Sequence, residues 1–196
     1  MKVILIPGTW GWDDDSKYSR YEGVIEDLKA AGYEPLFFPW STDLGGIGFG
    51  SNDLRNWKAS AYALKDFAAI HLGPEDECII ITHSHGLQVV LYAAERGLVV
   101  HKLLDISGPF RRDLKKVSAN ARVNIYQWVH FHGDWWRDYM NGLGGWFDTW
   151  NPLKWFQNPR SHPLADENIH IKGAGHTSTI TKAELFKEYV IPHLLK

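Results

Sequence analysis

Short runs rich in apolar residues, alternating with longer stretches of helical spacing, constrain this chain more than any other feature. Val3 to Ile6, Pro35 to Phe38, Glu77 to Thr82, Lys102 to Ile106, Val123 to Phe131 and Asn168 to Ile171 have the length of strands. Tyr21, Val24, Ile25 and Leu28 recur at helical spacing, with Gly32 where a residue just past a helix end belongs. Leu54, Trp57, Ala61, Leu64 and Ala68 mark a second helix that Gly73-Pro74 stops. Leu87 to Glu95, Arg112 to Ala119 and Ala183 to Leu195 are further helical stretches. Strands that are apolar along their whole length are buried on both faces, and their alternation with helices implies parallel crossovers. The pattern predicts an α/β fold: a mostly parallel central sheet of about six strands with helices on both faces. The 196 residues suit a single domain, 1–196, and neither a repeat nor a linker interrupts them.

Several function classes fall away on composition. A formal net charge of −2 does not attract a polyanion, and Arg111-Arg112 and Lys115-Lys116 are too short for a nucleic-acid footprint. The single cysteine, Cys78, cannot form an internal disulfide and opens the apolar run Cys78-Ile79-Ile80-Ile81, where it reads as an inert core thiol. Met1-Lys2 leads into a run too short for a secretory signal, and no stretch approaches the roughly 20 apolar residues that span a bilayer. The expectation is a cytoplasmic protein with no nucleic-acid partner and no stable membrane insertion. The oligomeric state stays open.

In parallel sheets, ligands bind beyond the carboxyl ends of the strands. The strand-end turns here are Pro7-Gly8-Thr9-Trp10-Gly11, Thr82 to Gly86, Gly133-Asp134 and Gly173 to Ser178. Thr82-His83-Ser84-His85-Gly86 follows a strand and opens a helix, the context of a nucleophile elbow, G-x-S-x-G, with Thr82 in place of the first glycine. Such a turn lifts the serine Oγ clear of the sheet and aims the first helical N–H groups at a reacting carbonyl. On the pentapeptide alone, a helix N-cap serine fits equally well. The other strand ends supply an aspartate, Asp134, and then a histidine, His176, in a glycine-rich loop before the last helix. Serine, acid and base thus follow in the chain order of a catalytic triad of this kind.

On His83-Ser84-His85-Gly86, Gly133-Asp134 and Gly175-His176-Thr177, the chain resembles the α/β-hydrolase superfamily over nearly its whole length, as a trimmed version of that fold. The resemblance implies acyl transfer to Ser84, with His176 as general base and Asp134 as the orienting acid. It also implies an oxyanion hole formed by backbone N–H groups of His85 and of Thr9 or Trp10. No cofactor is implied. The function expected is hydrolysis of a small-molecule carboxylic ester with an apolar acyl or alcohol group. Amide or thioester hydrolysis, acyl transfer, or a silent binding protein of the same fold are the alternatives.

Other groupings compete for these residues. Asp105 is a second candidate acid, but it lies within an apolar strand, where alternation should aim it at a helix-covered face. His130, His132 and Asp134 form an H-x-H-x-D pattern that could ligate a metal. Trp135 stands where a further histidine would be needed, and only 62 residues follow Asp134, so a metal site is not the reading adopted. The loop Gly46 to Gly50 lacks phosphate-binding spacing, and Asp13-Asp14-Asp15 reads as a solvated loop. The segment 135–156 holds eight aromatics, among them Trp135, Trp136, Trp146 and Trp150. Inserted between acid and base, it is expected to serve as a lid or an apolar pocket wall.

Overall fold

A computed structural model describes residues 1–8, 17–38, 53–111, 114–134, 136–138 and 160–195 of the chain. Its elements run β1 (Lys2–Ile6), α1 (Lys17–Ala30), β2 (Glu34–Phe37), α2 (Asp53–His71), β3 (Ile79–His83), α3 (Gly86–Glu95), β4 (Val100–Ile106), α4 (Lys115–Ala121), β5 (Ile125–His132) and β6 (Glu167–His170). A C-terminal helical segment follows, built from Ser178–Thr181, Ala183–Leu185, Phe186–Val190 and Ile191–Leu194. The six strands form one sheet in the order β2-β1-β3-β4-β5-β6, with every pair parallel. No helix among the described residues is long and apolar enough to cross a membrane.

Strand alternation divides the core into two layers. On one face Ile4, Ile6, Ile80, Leu103 and Trp128 pack against Ala61, Leu64 and Ala68 of α2 and against α3. On the other, Val3, Leu5, Ile79, Ile81, Leu104 and Phe131 meet Tyr21, Val24 and Leu28 of α1 and Ile180, Phe186, Val190 and Leu194 of the C-terminal segment. Eight of the ten residues of α3 are buried, so this helix is fixed all round and can hold the turn at its start. The α1 helix ends at Gly32, with Tyr33 N–H bonded to Leu28 O and Gly32 N–H to Lys29 O, the double bond of a Schellman cap.

The C-terminal segment is less regular than its apolar pattern predicts. Phe186–Val190 is a π-helical turn just before Ile191–Leu194, which carries a proline in its first turn. Pro192 has no N–H to offer the preceding turn, which removes one α-helical bond where the ladder widens.

Candidate active site

The exit of β3 makes a sharp turn. Ser84 has φ +53°, left-handed for a residue with a Cβ, at a cost of about 1–3 kcal/mol. Its N–H continues the sheet ladder to Ile106 O at 2.9 Å, and its carbonyl accepts from Leu87 N–H at 3.2 Å as α3 begins. A Cβ on Gly86 would lie 2.7 Å from Ile6 O and 2.8 Å from Pro7 O, so only glycine lets the elbow sit on the end of β1. Thr82, which replaces the elbow's first glycine, is accommodated because its buried hydroxyl donates to Asp105 Oδ1 at 3.3 Å.

Ser84 and His176 meet as the sequence predicts. Ser84 Oγ stands 2.8 Å from His176 Nε2. The third member differs from the expectation: His176 Nδ1 donates to Asp138 Oδ1 at 2.7 Å, not to Asp134. Asp134 instead accepts from His170 Nε2–H at 2.9 Å and from Gly173 N–H at 2.9 Å. The reason is one turn of backbone. The N–H groups of Arg137 and Asp138 both bond Asp134 O, at 3.0 and 2.8 Å, so the chain coils once after β5 before it reaches the histidine loop. Asp134 braces that loop from below while Asp138, fully buried, faces the imidazole. The same loop touches the β5 exit so closely, Ala174 O against Gly133, that no side chain fits at position 133.

His83, beside the nucleophile in the elbow, supports the histidine loop. Its Nε2 lies 2.9 Å from His176 O and its ring 5.0 Å from that of His176. Burial, then the neighbouring His176, push its pKa down to about 3, so the ring is neutral and carries its proton on Nε2 to meet the carbonyl. His85 caps α3, at the helix end where backbone N–H groups lack intrahelical acceptors. Its own ring is held neutral, at about 3, by burial and by Arg111.

Thr9, Trp10, Trp135, Trp146 and Trp150, and the loops with Asp13 to Asp15 and Gly46 to Gly50, lie outside the described residues. Trp136 is 63% exposed, stacks with Arg137 at 4.3 Å and lines a cleft of about 490 Å³ with His132, Asp134, Arg160, His170 and Lys172. Neither Ser84 nor His176 is among the described residues lining that cleft. His130 and His132 do share a face, with rings stacked at 5.8 Å. They do not converge with Asp134, because His130 directs its nitrogens at Asp105 and at Arg160 O. Among the described residues, no group of three His, Cys, Asp or Glu side chains is arranged to hold a metal ion. Cys78 is buried, with its pKa pushed up to about 12 by desolvation.

No protein-family model matches the chain, and no curated protein matches its sequence. Solved structures do match over nearly all of it. A predicted CIB-like hydrolase from Thermoplasma acidophilum superposes with a TM-score of 0.66 at 12% identity, covering 98% of this chain and 85% of the other. MGS-MChE2, an α/β hydrolase from the metagenome of lagoon sediments at Mar Chica, Morocco, gives 0.62 at 17%, covering 100% and 90%. The Arabidopsis methylesterase MES16 gives 0.61 at 10%, covering 100% and 99%. With six parallel strands in the order 2-1-3-4-5-6 and a strained serine at the β3–α3 turn, the chain has the α/β-hydrolase fold.

Proposed function

We propose that this protein is a serine hydrolase that cleaves carboxylic esters through an acyl-enzyme on Ser84, with His176 as base and Asp138 as orienting acid. The observation that carries the reading is the relay Ser84 Oγ–His176 Nε2 at 2.8 Å and His176 Nδ1–Asp138 Oδ1 at 2.7 Å. Asp138 holds the Nδ1–H tautomer, which leaves the Nε2 lone pair facing the serine hydroxyl. His176 takes the hydroxyl proton as Oγ bonds the ester carbonyl carbon. The tetrahedral oxyanion is assigned to backbone N–H groups, that of His85 at the head of α3 and, as the sequence leads one to expect, that of Thr9 or Trp10. Each such donor is worth roughly 3–4 kcal/mol. The alcohol leaves with the proton from His176, and water, deprotonated by the same imidazole, releases the acid.

The fold alone does not imply activity, so the reading leans on the site. The aromatic segment 135–156 is assigned to the apolar part of the ester, as a wall or lid. The test is turnover of p-nitrophenyl esters of rising chain length, with amide and thioester analogues alongside, by wild type and Ser84→Ala. Ester turnover by the wild type, absent in the folded variant, is the expected result. Equal rates in the two proteins would remove Ser84 from the chemistry.

A further inference from the structure

The sheet face covered by α2 and α3 carries a polar stripe. Thr82, Asp105, His130 and Asn168 are direct neighbours on β3, β4, β5 and β6. Asp105 and His130 are wholly shut off from solvent, and Thr82 nearly so. The proposed hydrolysis uses none of them. Asp105 Oδ1 accepts the Thr82 hydroxyl, and its Oδ2 lies 2.6 Å from His130 Nδ1. The other ring nitrogen, Nε2, lies 2.8 Å from Arg160 O. A neutral imidazole has one N–H and one lone pair. Here both nitrogens face oxygen acceptors, so the ring donates from both sides and its positive charge is balanced by Asp105. Burial is the largest single influence on His130 and works to lower its pKa, but the charge and hydrogen bond of Asp105, the Arg160 carbonyl and the charge of Asp138 together outweigh it, and the net shift is upward.

The surroundings fit a charged ring. His132 and His162 have their rings 5.8 and 6.0 Å from that of His130. Burial and then His130 hold His162 down at about 2, so it adds no second charge. Asp138 is close enough to favour the charged forms of both His130 and Arg160. The network therefore starts two residues before Ser84, at Thr82, and ends at the backbone of a residue in the field of Asp138.

We propose that Asp105 and His130 form a carboxylate–imidazolium pair that clamps the Arg160 carbonyl and so positions Asp138 against His176. His130 is then a positioning residue, acting through Arg160 and not on the substrate. The inference rests on the assignment of Asp138 as the orienting acid. A buried pair of this kind contributes little net stability, since desolvation offsets most of the attraction. Its worth lies in geometry: it ties β3, β4, β5 and the segment from Arg160 into one rigid block beneath the site.

The experiment is ring ¹⁵N and ¹H NMR of the full chain, with kcat measured on p-nitrophenyl acetate. In the wild type, His130 should show two ring N–H protons and imidazolium ¹⁵N shifts at about pH 7, where an unperturbed histidine is mostly neutral. Asp105→Asn should remove the Nδ1 proton. His130→Asn should shift the His176 Nδ1–H resonance and lower kcat roughly 10- to 100-fold with KM within about twofold, as a small misplacement of the acid requires. Should His130→Asn not fold, Asp105→Asn carries the same two readouts, in the same direction. An unprotonated His130 Nδ1 in the wild type would overturn the proposal, as would a folded variant that leaves kcat and the His176 resonance unchanged. A wild type with no ester turnover, but with both His130 ring protons and a responsive His176, would support the clamp while refuting hydrolysis.

Discussion

Replacing Asp138 with asparagine should lower kcat for ester hydrolysis by roughly 10⁴, about 5.5 kcal/mol in the barrier, with KM little changed. The structure gives the reason. Asp138 Oδ1 accepts the His176 Nδ1 proton at 2.7 Å in a fully buried position. An amide N–H turned toward Nδ1 would stabilise the opposite tautomer, with the proton on Nε2. That proton would then face Ser84 Oγ, 2.8 Å away, where a lone pair is needed. The companion variant is Asp134→Asn. Asp134 accepts from a half-exposed His170 and from Gly173 N–H, so its loss should cost only about 1 kcal/mol of stability and leave kcat within a few fold. The assay is steady-state hydrolysis of a p-nitrophenyl ester by both variants, with circular dichroism to confirm folding. The reverse pattern, Asp134→Asn inactive but folded and Asp138→Asn near wild type, would refute this assignment.

Acid should destabilise the fold steeply. His83, His85 and His162 have folded pKa values of about 3, about 3 and about 2, below the unfolded value of about 6.5, so the unfolded chain binds more protons. Stability present above about pH 6.5 should fall by about 1.4 kcal/mol per pH unit for each of them as pH drops toward 3. Urea midpoints that stay flat from about pH 7 to about pH 5 would contradict this. The Cys78 thiol, buried and raised to about 12, should resist iodoacetamide in the native state, and rapid alkylation would show that β3 opens. Turnover should survive EDTA, because both ring nitrogens of His130 and Nε2 of His170 are already committed to oxygen acceptors. Loss of activity restored by Zn²⁺ would point to metal dependence instead.

The sheet was legible because its inner strands are rich in apolar residues, β1 and β3 above all, and burial on both faces leaves that mark, whereas the edge strand β6, Glu167–His170, is mostly polar and exposed. The strand bounds shifted by a residue or two: β3 runs on to His83 because its ladder continues through the elbow, and β4 starts at Val100 rather than Lys102. Ser84 and His176 were legible because each follows its strand closely in a turn with glycine neighbours. Asp138 was not, because the first aspartate after β5 is Asp134 and nothing local says that the chain coils once more before pairing. Asp105 was read correctly as pointing under a helix-covered face. Its partner His130 follows from the β4–β5 register, which pairs the two directly and which no local pattern supplies.

The most direct test of the central claim is labelling with a fluorophosphonate, followed by peptide mass spectrometry. The phosphonate forms a bond to a serine only where that serine is activated by a base. The account predicts stoichiometric labelling at Ser84, abolished in Ser84→Ala and strongly slowed in Asp138→Asn. No labelling of the folded chain would contradict it, and so would labelling at Ser107, the other described serine with a left-handed backbone, or at Ser178 beside the histidine loop.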